Sequence, residues 1–267
     1  MSNKFGFIGA GNMGGALATA ISRKFSGEDL LVCDYDNKKA EDLAQKISAT
    51  PSDNETIAQN CEFIFLAVKP QVMESVLSGI KDSLKNRTDR FVLVTMAAGL
   101  SAEKIASFAG GNYPIIRIMP NTPVFVGEGM ILCSAWGDVA QAEINAFCNA
   151  LEFAGKIDML DEKLIDAAGS LSGCGPAFVY MFAEALADGA VECGIPREKA
   201  LNYSYQTLFG AAKMLLETGE HPAKLKDAVC SPGGTTIAGV HALENGAFRS
   251  CCMNAIKSAY KRTLELK

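Results

Sequence analysis

A glycine-rich segment near the N-terminus has the residue types and spacing that suit the binding of phosphate groups. Residues 5–16 read FGFIGAGNMGGA, in which Gly9, Gly11 and Gly14 form the pattern G-x-G-x-x-G. That spacing lets the chain turn sharply, lets a pyrophosphate approach bare backbone and lets a helix pack closely on the preceding strand. By itself the pattern also fits a glycine-rich turn without a ligand, so the neighbouring elements decide its meaning.

An acidic residue stands where the second strand of a dinucleotide-binding unit would end. Asp34 lies 20 positions after Gly14, close to the usual spacing of about 20 for the residue that binds the adenosine ribose. A carboxylate there accepts hydrogen bonds from the ribose hydroxyls of NAD and repels the 2′-phosphate of NADP, which favours NADH. The alternative is that Lys38 and Lys39 reach a 2′-phosphate while Asp34 turns aside.

A second glycine-rich segment, residues 225–244, reads LKDAVCSPGGTTIAGVHALE. Its centre combines a proline, two glycines and three hydroxyl side chains: Ser231, Pro232, Gly233, Gly234, Thr235 and Thr236. Free backbone N–H groups and the dipole at a helix start suit a small carboxylate. The alternative is a plain helix-to-helix turn in which a threonine caps the helix, but such a turn does not need six residues of this kind.

Neither the cysteines nor the histidines form a pattern typical of a metal site or a histidine base. The nine cysteines are odd in number and include no C-x-x-C pair. We therefore expect no bound metal, and mostly buried thiols in a reducing compartment. The two histidines, His221 and His241, are expected to be structural or solvated.

Short apolar runs alternate with helical stretches in the first half of the chain: KFGFI, LLVCDY, EFIFLAV, FVLVTM and PIIRIM. Such runs are typical of parallel strands buried on both faces, with helices as crossovers. We predict a Rossmann-like, doubly wound α/β sheet, with FVGEGMILCSA and GKIDML as later edge strands around a helix near 137–153. The glycine pattern then follows an N-terminal strand and opens a helix, which is the context that dinucleotide binding requires.

The strand pattern stops after about residue 163, and Ala-rich segments with a helical period follow. They cover residues 176–193, 197–217, 222–229, 235–245 and 247–264. We predict a dinucleotide-binding domain over 1–162 and an all-α domain over 163–267. The segment GPAFVYMFAEALADGAVECG is very apolar for a lone bundle. We interpret it as a partner-facing surface for dimerisation, with an ordinary internal core as the alternative.

The charge and hydropathy of the chain exclude several classes of partner. A net charge of −5 and a pI near 5.2, without a cluster of Lys and Arg, argue against nucleic acid and against an acidic membrane surface. No apolar run approaches the roughly 20 residues of a membrane span, and no signal-peptide pattern precedes the first strand. We expect a cytoplasmic protein.

The chain resembles pyrroline-5-carboxylate reductases over essentially its full length. The resemblance rests on five motifs in order: GFIGAGNMG, LAVKPQ, RIMPNTP, SGCGPAF and the segment 225–244, which is the most specific. It implies reduction of the cyclic imine 1-pyrroline-5-carboxylate to L-proline, the last step of proline biosynthesis, with NADH or NADPH as reductant. It also implies a homodimer or larger assembly built through the helical domain.

The resemblance assigns cofactor residues to positions in this chain. The phosphate-binding turn falls on Ile8, Gly9, Ala10, Gly11, Asn12 and Met13, next to Gly14, and the ribose contact falls on Asn54. The nicotinamide loops fall on Val68, Lys69, Pro70 and Gln71, and on Met96, Ala97 and Ala98. Both loops also follow predicted strands, where ligands of doubly wound sheets bind. Members that prefer NADPH commonly carry Ser, Asn or Arg where this chain has CDYD, residues 33–36, so a preference for NADPH is not implied.

Imine reduction requires the chain mainly to position its reactants, because the cofactor supplies the hydride. We assign Thr236 to the ring nitrogen, as an orienting group or proton relay, since a hydroxyl is a poor acid at neutral pH. The amides near Gly233 and Gly234, with Ser231 and Thr235, are assigned to the substrate carboxylate. A further residue, Asn121 in MPNTP, either lines the substrate pocket or shapes a turn.

Two other functions are alternatives. A β-hydroxyacid dehydrogenase also joins a Rossmann domain to a helical one, but that family's pattern has a catalytic Lys where GCGPAFVYMFAEALADGA has none. A non-catalytic dinucleotide sensor needs no second site for a small anion, so the intact SPGGTT sequence disfavours it.

Overall fold

The computed structural model describes residues 3–265 and divides the chain into two compact units. One unit extends to Gly173 and also includes the chain from Tyr260 onward, and the other is Cys174–Ala259. By compactness the helix Glu162–Ser172 therefore belongs with the first unit. A functional division into 1–162 and 163–267 stays a prediction.

An eight-stranded sheet lies at the centre of the first unit. Its strands are β1 (Asn3–Ile8), β2 (Leu30–Cys33), β3 (Thr50–Pro51), β4 (Cys61–Leu66), β5 (Val92–Thr95), β6 (Ile115–Met119), β7 (Gly129–Trp136) and β8 (Gly155–Met159). They lie in the order β3-β2-β1-β4-β5-β6-β7-β8, and neighbours are parallel except for the pair β6 and β7. This arrangement confirms the predicted doubly wound sheet, with the last two strands added at one edge.

The helices of this unit are α1 (Asn12–Ser22), α2 (Asn37–Ile47), α3 (Asn54–Asn60), α4 (Pro70–Lys85), α5 (Ala102–Ala109), α6 (Gln141–Ala150) and α7 (Glu162–Ser172). Short 3-10 turns lie at Gly27–Asp29, Thr122–Val126 and Glu152–Ala154. The helix expected near 137–153 is thus shorter, because its ends form loops and a 3-10 turn.

Apolar side chains pack on both faces of the sheet, which explains why its strands are almost continuously hydrophobic. On one face Phe7 pairs with Phe65, with ring centroids 4.4 Å apart, and Phe5 pairs with Phe63 at 5.8 Å. On the other face residues such as Ile64 are fully buried. This double-sided burial fixes the strand ends from which the loops of the site emerge.

Three elements in the described part of the first unit are not predicted by the sequence patterns: β3, α3 and α7, which precedes the first predicted helical segment at 176. Strand β3 has two residues, ends in Pro51 and lies at the sheet edge, where proline is tolerated because a ladder N–H is not required. Helix α3 has seven residues and the polar sequence NETIAQN, which is too short to show a helical period. The run EFIFLAV is consequently the fourth strand rather than the third.

The second unit is built from helices. They are α8 (Gly175–Glu192), α9 (Arg197–Thr218), α10 (Pro222–Val229), α11 (Thr235–Asn245) and most of α12 (Phe248–Glu265). Each predicted helical segment agrees with one of them to within one residue at either end. Helices α8 and α9 pack together, and the buried Ser204 hydroxyl donates a hydrogen bond to Ala183 O at 2.7 Å.

Candidate active site

The three glycines of the N-terminal motif lie between β1 and α1 in three different environments. Gly9 has a φ of +111°, and a Cβ there would lie 2.5 Å from Ala67 O. A Cβ at Gly14 would lie 2.4 Å from Gly9 O, so α1 packs tightly on the turn. A Cβ at Gly11 would meet no atom within 4 Å. Packing therefore does not require glycine at position 11, and the room that glycine leaves there fits a pyrophosphate.

The start of α1 has the electrostatic character of an anion site. Gly11 is the N-cap without a side-chain hydrogen bond, and no acidic residue lies in the first turn. The N–H groups of Asn12 and Met13 have no acceptor within the helix, and the helix dipole adds partial positive charge at this end. These groups suit a phosphate.

Asp34, directly after β2, holds the glycine turn with its carboxylate. Its Oδ2 accepts a hydrogen bond from Ala10 N–H at 2.7 Å, and its Oδ1 accepts one from Asp36 N–H at 3.0 Å. In addition, Gly9 N–H donates to Cys33 O at 2.8 Å. Asp34 thus stabilises the glycine turn, a structural role that its spacing in the sequence does not indicate. Its carboxylate is half-buried and remains partly accessible to a ribose.

A cleft of about 740 Å³ adjoins Asp34 at the carboxyl ends of the first four strands. Four other predicted cofactor residues line it: Ile8, Gly9, Asn54 and Val68. The described residues around the cleft also include the carboxylates of Asp53 and Glu55 and no Lys or Arg. Its size and concave form suit the adenosine half of a dinucleotide.

Asn54 is the first residue of α3, and a thiol orients its amide group. Cys33 Sγ donates a hydrogen bond to Asn54 Oδ1, with sulfur and oxygen 2.9 Å apart. Burial raises the pKa of the Cys33 thiol to about 12, so the thiol stays protonated at neutral pH and remains a donor. The NH₂ group of Asn54 is thereby left to donate to a ligand oxygen.

The two loops predicted for the nicotinamide side follow β4 and β5, which are adjacent parallel strands. They therefore leave the sheet at the same edge. In the first loop Lys69 is the N-cap of α4 and Pro70 takes the first helical position, which the fixed φ of proline suits. Gln71 is exposed and Val68 is half-buried.

The second of these loops has small side chains at its exposed positions. Ala97 is buried, Met96 is half-buried and Ala98 is exposed. Ala97 N–H donates to Thr95 Oγ1 at 3.4 Å. Small side chains leave the backbone of this loop accessible to a planar ring.

The predicted substrate loop connects α10 to α11 within the second unit. Gly233 has a φ of +67°, and a Cβ at Gly234 would lie 2.2 Å from Ser231 Oγ. Gly234, rather than a threonine, is the N-cap of α11, and it makes no side-chain capping hydrogen bond. Thr236 is half-buried, whereas Thr235 and Ser231 are exposed. The first N–H groups of α11 and the three hydroxyls thus lie in one short loop. The alternative interpretation requires a threonine to cap the helix, and no threonine does so.

Asn121 has a structural role that uses both ends of its amide. Its Nδ2 donates to Ser172 O at 2.9 Å, and its Oδ1 accepts from Met130 N–H at 2.8 Å. The side chain thereby joins the end of β6 to β7 and to the last residue of α7. A substrate contact for Asn121 stays a prediction.

A buried ion-pair cluster lies near the Met96–Ala98 loop, and the sequence analysis does not predict it. Arg117 pairs with Thr95 across β6 and β5, and its side chain is 4% exposed. Arg117 Nη2 lies 2.8 Å from Asp166 Oδ1, and Nη1 lies 3.2 Å from Glu162 Oε1. The sequence signals are the place of Arg117 at the start of the motif RIMPNTP and the i, i+4 spacing of the two acids on α7, which places them on one face.

No group of three or more His, Cys, Asp or Glu side chains within residues 3–265 is arranged to hold a metal ion. In the same part of the chain, none of the helices combines the length and apolar character needed to cross a membrane.

Two family patterns match the chain, one in each half. The family described as "Pyrroline-5-carboxylate reductase dimerisation" matches residues 162–266. The family described as "NADP oxidoreductase coenzyme F420-dependent" matches residues 4–99, which contain the glycine turn and Asp34.

Similar proteins extend over the whole chain. A pyrroline-5-carboxylate reductase of Escherichia coli is 39% identical over 270 residues, which is 100% of this chain and 99% of that protein. The solved reductase of Coxiella burnetii has a TM-score of 0.92 at 31% identity and covers 100% of this chain and 98% of its own. A pyrroline carboxylate reductase of Plasmodium falciparum, solved with NADP bound, has a TM-score of 0.86 at 34% identity and covers 98% of each chain. With identities of this size over its full length, the chain belongs to the pyrroline-5-carboxylate reductase family.

Proposed function

We propose that the chain reduces the C=N bond of 1-pyrroline-5-carboxylate to give L-proline, with a reduced nicotinamide dinucleotide as hydride donor. The observation that best supports this function is the full-length similarity to reductases of that name, which spans both the glycine turn and the SPGGTT loop. The β-hydroxyacid dehydrogenase and sensor alternatives are not favoured, because they account for only the first of these segments.

The residues of the first unit suit each part of the dinucleotide. The N–H groups at the start of α1 hold the pyrophosphate beside Gly11, Asp34 and Asn54 bind the adenosine ribose, and the loops after β4 and β5 border the nicotinamide. When bound, the nicotinamide supplies the hydride that reduces the imine carbon.

The SPGGTT loop binds the substrate in this proposal. The first N–H groups of α11 and the hydroxyls of Ser231 and Thr235 hold the carboxylate, as the helix dipole favours an anion there. The Thr236 hydroxyl contacts the ring nitrogen, which gains a proton as the imine carbon gains hydride. Thr236 orients that nitrogen or relays the proton, because its own acidity is too low for a general acid.

The preferred cofactor in this proposal is NADH. The carboxylates of Asp34, Asp53 and Glu55 around the adenosine cleft oppose a 2′-phosphate and accept hydrogen bonds from ribose hydroxyls. Lys38 and Lys39, exposed on the first turn of α2, act in the opposite direction, and the Plasmodium relative was solved with NADP. We expect the carboxylates to dominate because they line the cleft itself.

The helical unit forms a homodimer or a larger homo-oligomer in this proposal. Helices α10, α11 and α12 bury none of their described residues in the single chain. Large apolar side chains are exposed on this unit: Tyr180, Met181, Phe209, Leu216, Val229 and Met253. Apolar exposure on this scale marks an association surface, and the matching family is described by its dimerisation.

Initial rates with the imine, measured with NADH and NADPH side by side, test the reaction and the cofactor preference. Absorbance of the reduced cofactor should fall when the imine is added, and a 3-hydroxy acid with NAD should give no absorbance change. NADH should give the higher kcat/KM, and Asp34→Ser should narrow the difference by removing one carboxylate. A strong preference of the wild type for NADPH would show that Lys38 and Lys39 dominate.

A further inference from the structure

The segment 96–101, between β5 and α5, is held by its two ends and by core contacts of Met96, Ala97 and Leu100. Two backbone N–H groups of the segment make long hydrogen bonds: Ala97 N–H to Thr95 Oγ1 in β5, and Leu100 N–H to Ala97 O, both at 3.4 Å. A cleft of about 270 Å³ lies against Gly99, Leu100 and Ser101, whereas Ala97 and Leu100 make core contacts. At its start the segment continues the fully buried strand β5. The anchor at its other end therefore helps to fix the part of the segment that borders the cleft, residues 99–101.

That anchor is a carboxylate on α7. Glu162 Oε1 accepts a hydrogen bond from Ala102 N–H, the first residue of α5, at 2.7 Å. Ser101 Oγ accepts a hydrogen bond from a different N–H group of the same turn, that of Lys104, at 3.2 Å. Glu162 thus supplies from α7 a cap that α5 does not supply for itself, and a charged acceptor makes such a hydrogen bond short and strong.

A buried arginine fixes the direction of the Glu162 side chain. Arg117 Nη1 lies 3.2 Å from the same Oε1. Among the side-chain atoms of the described residues, Arg117 Nε is buried without a hydrogen-bond partner. The guanidinium is therefore stabilised largely by its two carboxylates, which keeps Glu162 in place beside the start of α5.

We propose that Glu162 is a positioning residue for hydride transfer, which acts through Ala102 to hold segment 96–101 in place as the nicotinamide wall. This inference rests on the proposed function, since it takes the Met96–Ala98 loop as the border of the nicotinamide. It predicts that loss of the Glu162 contact frees the loop and slows turnover, while the adenosine half of the cofactor still binds through the glycine turn and Asp34.

Three substitutions of Glu162 separate the length of its side chain, which lets it accept from Ala102 N–H, from its negative charge. Glu162→Ala removes both, Glu162→Asp keeps the charge near Arg117 but is one methylene too short to reach Ala102, and Glu162→Gln keeps the reach. Glu143→Ala is a matched control, because Glu143 also accepts a backbone N–H at a helix start, from Ala140 at 2.7 Å, and pairs with an arginine, Arg90, at 2.6 Å. Glu143 lies on α6, outside the proposed site.

Hydrogen–deuterium exchange of the cofactor-free protein measures how well the backbone N–H groups of residues 96–102 are protected. Steady-state kinetics and cofactor titration measure the effect on turnover and on cofactor affinity. Glu162→Ala and Glu162→Asp should speed exchange of residues 96–102 about tenfold or more. They should lower kcat roughly 10- to 100-fold, as expected for misplaced reactants, and leave cofactor Kd within about threefold. Glu162→Gln loses the charge but keeps an acceptor within reach of Ala102, so its exchange and kcat should stay closer to the wild type than those of Glu162→Asp. Glu143→Ala should lower Tm but should leave both the exchange of residues 96–102 and kcat at their wild-type values.

The inference can be refuted while the proposed function holds, so the two failures are distinguishable. If Glu162→Asp folds with wild-type exchange and kcat, or if exchange rises while kcat does not fall, the positioning role is wrong. If Glu162→Ala does not fold, Glu162→Asp against Glu162→Gln decides the same question. If the wild type does not reduce the imine, the proposed function is wrong, and the positioning role in hydride transfer is wrong with it, whatever the exchange rates show.

Discussion

At the scale of single residues, the glycines of the N-terminal motif differ in why glycine is needed: one position needs it for packing, and another is proposed to need it for ligand binding. Gly14 is needed because any Cβ would meet the backbone of Gly9, whereas Gly11 has open surroundings. A sequence pattern treats the two alike. The structure therefore predicts opposite consequences for the same kind of substitution three residues apart.

Gly11→Val should abolish dinucleotide binding and leave the fold largely intact, since the new side chain occupies the room that suits the pyrophosphate. Gly14→Ala, the matched control, should lower stability by about 1 to 3 kcal/mol because of the close approach to the backbone. Fluorescence titration with the cofactor and thermal denaturation measure the two effects. Unchanged affinity in Gly11→Val would remove the glycine turn from the site.

Thr236→Ala should lower turnover of the imine far more than it weakens cofactor binding. Loss of one hydrogen bond that is made mostly in the transition state should cost about 1.5 to 3 kcal/mol, or roughly 10- to 150-fold in kcat. Thr236→Ser keeps the hydroxyl and should recover most of the activity. Steady-state kinetics of each variant provide the comparison.

Thr235→Ala is the control for that experiment, because its proposed contact is with the carboxylate and its loss should appear mainly in KM. The N-cap of α11 is Gly234 and makes no side-chain hydrogen bond, so neither threonine variant should lose a capping interaction. A Thr236→Ala protein with full activity and a Tm several degrees lower would contradict the catalytic assignment.

At the scale of elements, the short helix α3 positions the predicted ribose contact. Asp53 caps it by accepting hydrogen bonds from Thr56 N–H at 2.8 Å and from the Thr56 hydroxyl at 2.9 Å. These bonds hold the pKa of the Asp53 carboxyl below its usual value. Because Asn54 is the first residue of α3, the cap also sets the place of its amide in the adenosine cleft.

Asp53→Ala should lower stability by about 0.5 to 2 kcal/mol at pH 7, as for other N-caps, and should weaken cofactor binding. A carboxyl whose folded pKa is lowered stabilises the fold above its unfolded pKa of about 3.9, and that stabilisation is lost as the pH falls through the folded pKa. The Tm difference between wild type and variant should therefore be full at pH 7 and shrink below about pH 4. A difference independent of pH would show that the cap does not depend on the charge of Asp53.

The elements differ in how far the sequence predicts them. Buried parallel strands appear as continuous apolar runs, and the helices α8 to α12 have a regular helical period, so their limits follow closely from the sequence. Strand β3 and helix α3 are too short to show a period, and α7, with the sequence EKLIDAAGSLS, mixes helix-favouring residues with Gly and Ser. Short elements depend on their packing partners rather than on local pattern.

At the scale of the whole molecule, the two proposed binding segments, the glycine turn and the SPGGTT loop, lie in different compact units, and sequence motifs predict both. Each segment is formed by residues that are close in sequence, since glycines at a helix start create an anion site within a few residues. The contacts that support the proposed cofactor segments in the first unit are not local: Ala10 to Asp34 spans 24 residues, and Arg117 to Asp166 spans 49. Pairings of this length leave no periodic signal, so the structural roles of Asp34, Arg117 and Glu162 come from the structure alone.

Transfer of deuterium from the cofactor to the product tests the central claim most directly. The chain is incubated with the imine and with NADH or NADPH deuterated at C4 of the nicotinamide, using both C4 epimers, and the proline formed is analysed by mass spectrometry and NMR. With one of the two epimers, we expect a single deuterium at the δ-carbon of L-proline, which derives from the C=N carbon of the imine, and one oxidised cofactor per proline. No proline, or proline without deuterium from either epimer, would contradict the account.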